Sequence, residues 1–191
     1  VHASKMYAHF DTEVSINTIE AVRRLNSYLP EDIAVFNILK VADDAHARFD
    51  ATARTYEYHI NLQKDVFSKE LSWYQFRKLN VQKMNEAAKI LLEYEDFECF
   101  SKTHTDVFTF NCTITEAFWV ENNGKLVFHI SANRFLRNMV RAIVGTLINI
   151  GLEKIEVQDI RNIIESKNRG KAGFSVPAHG LYLTQVIYPY I

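Results

Sequence analysis

Proline and glycine are scarce, three and six of 191 residues. Collagen-like chains, low-complexity tracts and long flexible linkers all need more of one or the other, so the chain is expected to be compact throughout. Cysteine is scarcer still. Cys99 and Cys112 are the only two and form no C-x-x-C pair, which excludes a disulfide-stapled secreted scaffold and points to a reducing cytoplasm. No stretch reaches the roughly 20 apolar residues that span a bilayer, and the opening Val1-His2-Ala3-Ser4 lacks the apolar run of a signal peptide. The seven histidines include no pair at helical ligand spacing, so no zinc site is expected. Walker-type and dinucleotide-binding glycine loops and a Gly-x-Ser-x-Gly elbow are missing, and with them any motif for cofactor-dependent chemistry. An excess of charge is missing as well. With 22 Lys plus Arg against 23 Asp plus Glu, the net charge is -1, and only local clusters can speak for an anionic partner.

What remains is ordinary globular composition, 48% hydrophobic and 24% charged, enough for one domain or two fused halves. Residues 5–10 alternate as a strand already in progress, which reads as a beginning in mid-protein. Asn17 or Ser15 is a candidate cap for a helix near 17–28 that Pro30 stops. Residues 33–41 and 52–62 read as strands with a loop at 43–46 between them. Asn80 caps a helix carrying Met84, Ala87, Ala88, Leu91 and Leu92, and Asp96 could cap a short turn reaching Phe100. Residues 110–121 and 125–133 flank Asn123-Gly124, the pattern of a hairpin. The longest apolar helical stripe runs from Leu136 to Ile148, another helix is expected near 157–164, and residues 181–188 close the chain as a strand. The fold class is α+β: a mixed, largely antiparallel sheet covered by helices.

Charge is distributed unevenly. Between Asn122 and Leu152 there are four cations, Lys125, Arg134, Arg137 and Arg141, and no acid. On a helical wheel Arg141 falls at the edge of the apolar arc with Arg137 one turn earlier, so Arg141 should be partly buried. Such a guanidinium either covers apolar surface with its stem or holds a carboxylate or phosphate brought from elsewhere. Lys167, Arg169 and Lys171 form a second acid-free stretch around Gly170 and Gly173, where backbone amides could approach phosphates. Acids gather instead between Glu86 and Glu98, leaving open either one positive and one negative face or ordinary solvated charge. Tyr56 and Tyr58 share one face of a strand just after Arg54, as a stacking platform for a base or as sheet packing.

Several segments, in order, resemble one family. His46-Ala47-Arg48-Phe49 followed by Ala53-Arg54-Thr55-Tyr56-Glu57-Tyr58 is similar to H-A-R-F and A-R-x-Y-x-Y, and Asp96-Phe97-Glu98-Cys99-Phe100 to D-F-x-x-F. Phe135-Leu136-Arg137-Asn138-Met139-Val140-Arg141 with Ile143-Val144-Gly145 is similar to F-L-x-x-M-V-R-x-I-V-G. Ala172-Gly173 through Pro177-Ala178-His179-Gly180-Leu181-Tyr182-Leu183 resembles A-G-x-x-x-P-A-H-G-L-x-L. These are stretches of the tRNA pseudouridine synthase A family. Val1-His2-Ala3 matches only the last three positions of its signature G-R-T-D-A-G-V-H-A, whose Asp is the family's catalytic residue.

The resemblance implies a pseudouridine synthase fold of two related halves, with residues 1–41 the remainder of the first and 42–191 the second. It implies isomerisation of uridine to pseudouridine at tRNA positions 38–40 in the anticodon stem-loop, without cofactor or metal, by a cytoplasmic homodimer with a basic cleft. Tyr56 matches the tyrosine that stacks on the base, and Arg141 the arginine that pairs with the aspartate. Arg48, Arg54, Arg137 and His179 in the motifs, with Lys167, Arg169 and Lys171, are the expected RNA contacts. Without the aspartate, the chain of residues 1–191 is expected to be inactive alone. A catalytically silent RNA-binding relative and a dimerising α+β domain with no RNA role are the competing expectations.

Overall fold

The computed structural model describes residues 1–103 and 107–191. The chain divides into two units: Val1–Met6 with Ala51–Pro189, and Tyr7–Asp50 with Tyr190–Ile191.

The first unit is built on one mixed sheet. Its strands are β1 (His2–Ala3), β2 (Ala53–Asn61), β3 (Trp73–Tyr74), β4 (Ile114–Asn122), β5 (Lys125–Ala132) and β6 (Leu181–Ile187), and the spatial order is β1-β6-β2-β5-β4. The three long pairings, β2 with β5, β2 with β6 and β4 with β5, are antiparallel. The two-residue strands β1 and β3 pair in parallel with β6 and β2. This is the expected α+β class with a largely antiparallel sheet.

Local sequence explains the central hairpin. Asn123 at φ 49° and Gly124 at φ 74° turn β4 into β5 with the two left-handed residues that match strand twist. Alternation then sorts the faces. Leu126, Phe128, Ile130 and Ala132 of β5 are buried and lie opposite Glu121, Trp119, Ala117 and Ile114 of β4. A register shift between Ile114 and Glu116 keeps Ile114 and Ala117 on the same inner face although they are three residues apart. Tyr58 and Ile60 extend that face into β2, both fully buried.

Four helices carry the described chain outside the sheet: α1 (Thr18–Tyr28), α2 (Val81–Ile90), α3 (Met139–Gly151) and α4 (Asp159–Glu165). As the sequence predicts, Asn80 caps α2, its side-chain oxygen accepting from Lys83 N at 3.1 Å, and Met84, Ala87, Ala88 and Ile90 are buried against α3 and β4. Asp96 Oδ1 likewise accepts from Glu98 N at 3.0 Å to start the 3-10 turn Glu98–Phe100. The helix α3 differs from its expected amphipathic form. It begins at Met139, after a left-handed Asn138 (φ 70°), and is buried nearly all round. The cause lies far away in sequence, where residues 172–177 cross its outer side.

The second unit contains α1, capped by Asn17 Oδ1 accepting from Glu20 N at 3.1 Å. Asn26 also pins the backbone of Val35 at both N and O, each 2.7 Å away. None of α1 is buried, and Ile19 and Phe36 are 84% and 86% exposed. The strands expected at 5–10 and 33–41 do not form. Alternation supplies a face, but a strand exists only when a neighbour takes its amide hydrogen bonds. Ser4 N still reaches Leu183 O at 2.9 Å, and pairing of this segment to β6 stops there.

No helix among the described residues is long and apolar enough to cross a membrane.

Candidate active site

The site is assembled where the strap of residues 172–177 lies along α3. At one end, Gly173 N donates to Thr146 Oγ1 at 2.8 Å, and that hydroxyl donates back to Ala142 O at 2.9 Å. Strap and helix touch backbone to backbone. A Cβ on Gly145 would lie 1.8 Å from Phe174 O, and one on Gly173 would lie 2.4 Å from Thr146 N, so both glycines are required by close approach. One turn earlier, Val176 N donates to Arg141 O at 3.3 Å and Arg141 Nε donates to Val176 O at 2.6 Å. At the helix start, Asn138 Nδ2 donates to Ser175 Oγ at 2.6 Å.

Tyr58 ties the strap to the sheet. Its hydroxyl, on a fully buried ring, donates to Pro177 O at 2.8 Å. Burial raises the phenol above its ordinary value, and the nearby Arg141 charge opposes the rise only in part. Tyr56 stands two residues away on the same face of β2, at the rim of the core, with its ring edge-on to Phe135 at 5.2 Å. Its phenol is also raised, by burial first, with the charge of Arg54 acting against it. The two tyrosines that the sequence presents as equivalent thus divide: Tyr58 is an internal anchor and Tyr56 a rim residue.

Arg141 is partly buried, as its place on the wheel predicts. No carboxylate pairs with it among the described residues; its one short contact is to a carbonyl. The other expected RNA contacts fare differently. Arg137 is exposed just before α3, and its carbonyl accepts from Lys102 N at 3.0 Å. Arg54 opens β2 opposite Ala132 and Val186. His179 is partly buried in the 3-10 turn Ala178–Gly180 leading into β6, where a Cβ on Gly180 would lie 2.9 Å from both His59 O and the Tyr58 ring. Arg169 donates to Gly173 O and Ser175 Oγ, both at 3.0 Å. Lys171 is exposed beside it. Arg48 belongs to the other unit, over the ring of Phe49 at 5.5 Å.

Two acids of the acid-rich segment, Glu93 and Asp96, are paired with bases far away in sequence. Lys167 Nζ lies 2.6 Å from Asp96 Oδ2, Arg161 forks onto Glu93 at 2.6 and 3.0 Å, and Tyr94 donates to Glu165 at 2.8 Å. Acids and bases far apart in sequence are interleaved here.

Both cysteines are buried and free, and burial pushes their thiols up, to about 12 for Cys99 and about 11 for Cys112. Neither is a nucleophile near neutrality.

The profile of the tRNA pseudouridine synthase family matches residues 87–189. The chain is 51% identical to tRNA pseudouridine synthase A of Porphyromonas gingivalis, over 99% of this chain and 77% of the relative. It is 52% identical to the Bacteroides fragilis protein of that name, over 99% and 76%, and 41% identical to the Bacillus subtilis one, over 98% and 77%. The chain belongs to the tRNA pseudouridine synthase A family.

Membership changes how the strap is read. Residues 172–177, the first half of the family stretch from Ala172 to Leu183, dock on α3, and the stretch from Phe135 to Gly145 runs into the first half of that helix. From sequence, Arg141 and Tyr56 stand out as site residues and Tyr58 only as the equal of Tyr56 on one strand face, whereas Asn138, Thr146 and Ser175, which with Tyr58 hold the arrangement together, do not stand out. One signal was available: asparagine is among the few residues that enter the left-handed region readily, and Asn138 sits between a loop and a helix.

Proposed function

We propose that the protein carrying this chain acts on tRNA as a pseudouridine synthase, isomerising uridines at positions 38–40 of the anticodon stem-loop, and that residues 1–191, which hold no counterpart of the signature aspartate, are inactive alone. The observation that carries the reading is Arg141: a partly buried guanidinium, held at Nε by Val176 O, with no carboxylate paired to it among the described residues. An always-charged group in such a place calls for an anion. The aspartate of the family signature has no counterpart among residues 1–191, and its carboxylate is the partner that fits. Beside Arg141 it would stay ionised, the form in which it can attack.

The reaction exchanges one bond for another. The uracil N1–C1′ bond breaks, the base turns within the site, C5 bonds to C1′, and the C5 proton leaves while N1 takes one up, so there is no net change in protons and no oxidant or cofactor is consumed. The base must leave the helical stack first. Tyr56 supports this as a rim aromatic whose raised phenol stays protonated and neutral, a ring to stack on and a donor. Arg54, Arg137, Lys171 and His179, with Lys167, Arg169 and Arg48, are proposed to neutralise phosphates along the stem. The cytoplasm, where tRNA is found, and a homodimer complete the reading, with residues 42–191 as the second half of the catalytic domain.

The test maps the product. A form extended upstream of Val1 with its encoded residues is incubated with unmodified tRNA, which is then treated with a carbodiimide and reverse-transcribed. Stops at positions 38–40 are expected; stops only elsewhere, or none from a folded protein, would reject the assignment.

A further inference from the structure

We propose that Asn138 and Ser175 are positioning residues that aim the Arg141 guanidinium, an inference that rests on the reading of Arg141 as a site residue. Among the described residues, Arg141 is fixed by a single short side-chain bond, Nε to Val176 O at 2.6 Å. Where its outer nitrogens point is therefore set by where the strap carries that carbonyl. The neighbouring strap residue, Ser175, is held from two sides: its Oγ accepts from Asn138 Nδ2 at 2.6 Å and from Arg169 Nη2 at 3.0 Å. Downstream, Pro177 O is held by the buried Tyr58 hydroxyl. Val176 is thus clamped on both sides.

Asn138 is unusual in a way that separates architecture from aim. Its backbone is left-handed, φ 70° and ψ 0°, and as the cap of α3 its side chain makes no capping bond to the helix. The amide reaches across 37 residues to Ser175 instead. A residue chosen only for the left-handed turn would be glycine, which adopts it without steric cost. What asparagine adds is the bond to the strap. Misplacing a reacting group by an ångström is enough to lower turnover strongly without loosening substrate.

The test uses Asn138→Gly and Ser175→Ala in the upstream-extended protein, with Arg141→Ala as reference. Arg169 is left alone because it is also a candidate RNA contact. Asn138→Gly keeps the turn and removes the bond, so Tm is expected to hold while kcat falls about tenfold or more and KM for tRNA stays within about twofold. Ser175→Ala removes that bond and the one from Arg169, so kcat should fall at least as far, and the double variant should fall no further than Ser175→Ala, in which the Asn138–Ser175 bond is already gone. If both single variants, folded, turn over at the wild-type rate while Arg141→Ala is inactive, the positioning role is wrong and the site reading stands. If Arg141→Ala itself keeps wild-type turnover, the site reading fails and this inference with it.

Discussion

Arg141 and Val176 are bonded twice, the Val176 amide donating to the Arg141 carbonyl at 3.3 Å and the Arg141 Nε donating to the Val176 carbonyl at 2.6 Å. The pairing joins the start of α3 to the strap before β6, and it orients a charge beside the tyrosine strand. Arg141→Lys preserves the charge but loses the fork and the Nε donor. Turnover should fall by about a hundredfold or more for Arg141→Ala and nearly as far for Arg141→Lys, with the fold kept. Tyr56→Phe should also lower turnover strongly. Steady-state kinetics on the upstream-extended protein decide it, and wild-type rates in Arg141→Ala and Tyr56→Phe would remove both from the site.

Gly145→Ala should cost more in stability than its one methyl suggests. Its Cβ would sit 1.8 Å from the backbone oxygen of Phe174, and backbone cannot rotate away as a side chain can. Strap and helix must separate, at a cost of about 2 kcal/mol or more. Urea denaturation measures it; an unchanged midpoint would mean that the strap is loosely held.

The edge of the sheet gives another prediction. β4 is an end strand, and Asn85 on α2 covers it, accepting from Trp119 N at 2.7 Å and donating to Trp119 O at 3.2 Å. Asn85→Ala leaves both backbone groups without that partner, for a loss of about 1–3 kcal/mol. It also opens a strand edge to pairing with other chains. Light scattering on warming should report earlier aggregation than in wild type.

Acid should weaken the protein partly through Asp96. Burial pushes its carboxyl up, but the Lys167 ammonium at 2.6 Å and the Glu98 amide outweigh it, and the net position is below the usual range. The folded chain then binds the Asp96 proton less readily than the unfolded chain does. The contribution is fully present above the unfolded value of about 4 and is lost as pH falls through the lower folded one. Asp96→Asn should flatten the fall of Tm below about pH 4. An identical acid slope in wild type and variant would show that the pair contributes nothing.

Much of this was legible locally. Asn123-Gly124 specifies its hairpin, Asn80 its helix, and the place of Arg141 on the wheel its partial burial, because each depends on residues within a turn or two. The strands expected at 5–10 and 33–41 failed because alternation carries no information about a pairing partner. The all-round burial of α3 was hidden for a related reason: the cover comes from residues 172–177, and only the tight contacts at Gly145 and Gly173 show why those positions bear no side chain. Tyr56 and Tyr58 looked alike since they share a face; what separates them is the carbonyl of Pro177, 119 residues from Tyr58.

The most direct measurement is tritium release from tRNA labelled at uridine C5, comparing residues 1–191 with the upstream-extended protein and with that protein carrying Asn in place of the signature aspartate. Release by the extended protein alone is the predicted result, and it would tie pseudouridine formation to a carboxylate facing Arg141. Equal release by residues 1–191, or by the Asn form, would contradict the account, because the chemistry would then need no such partner.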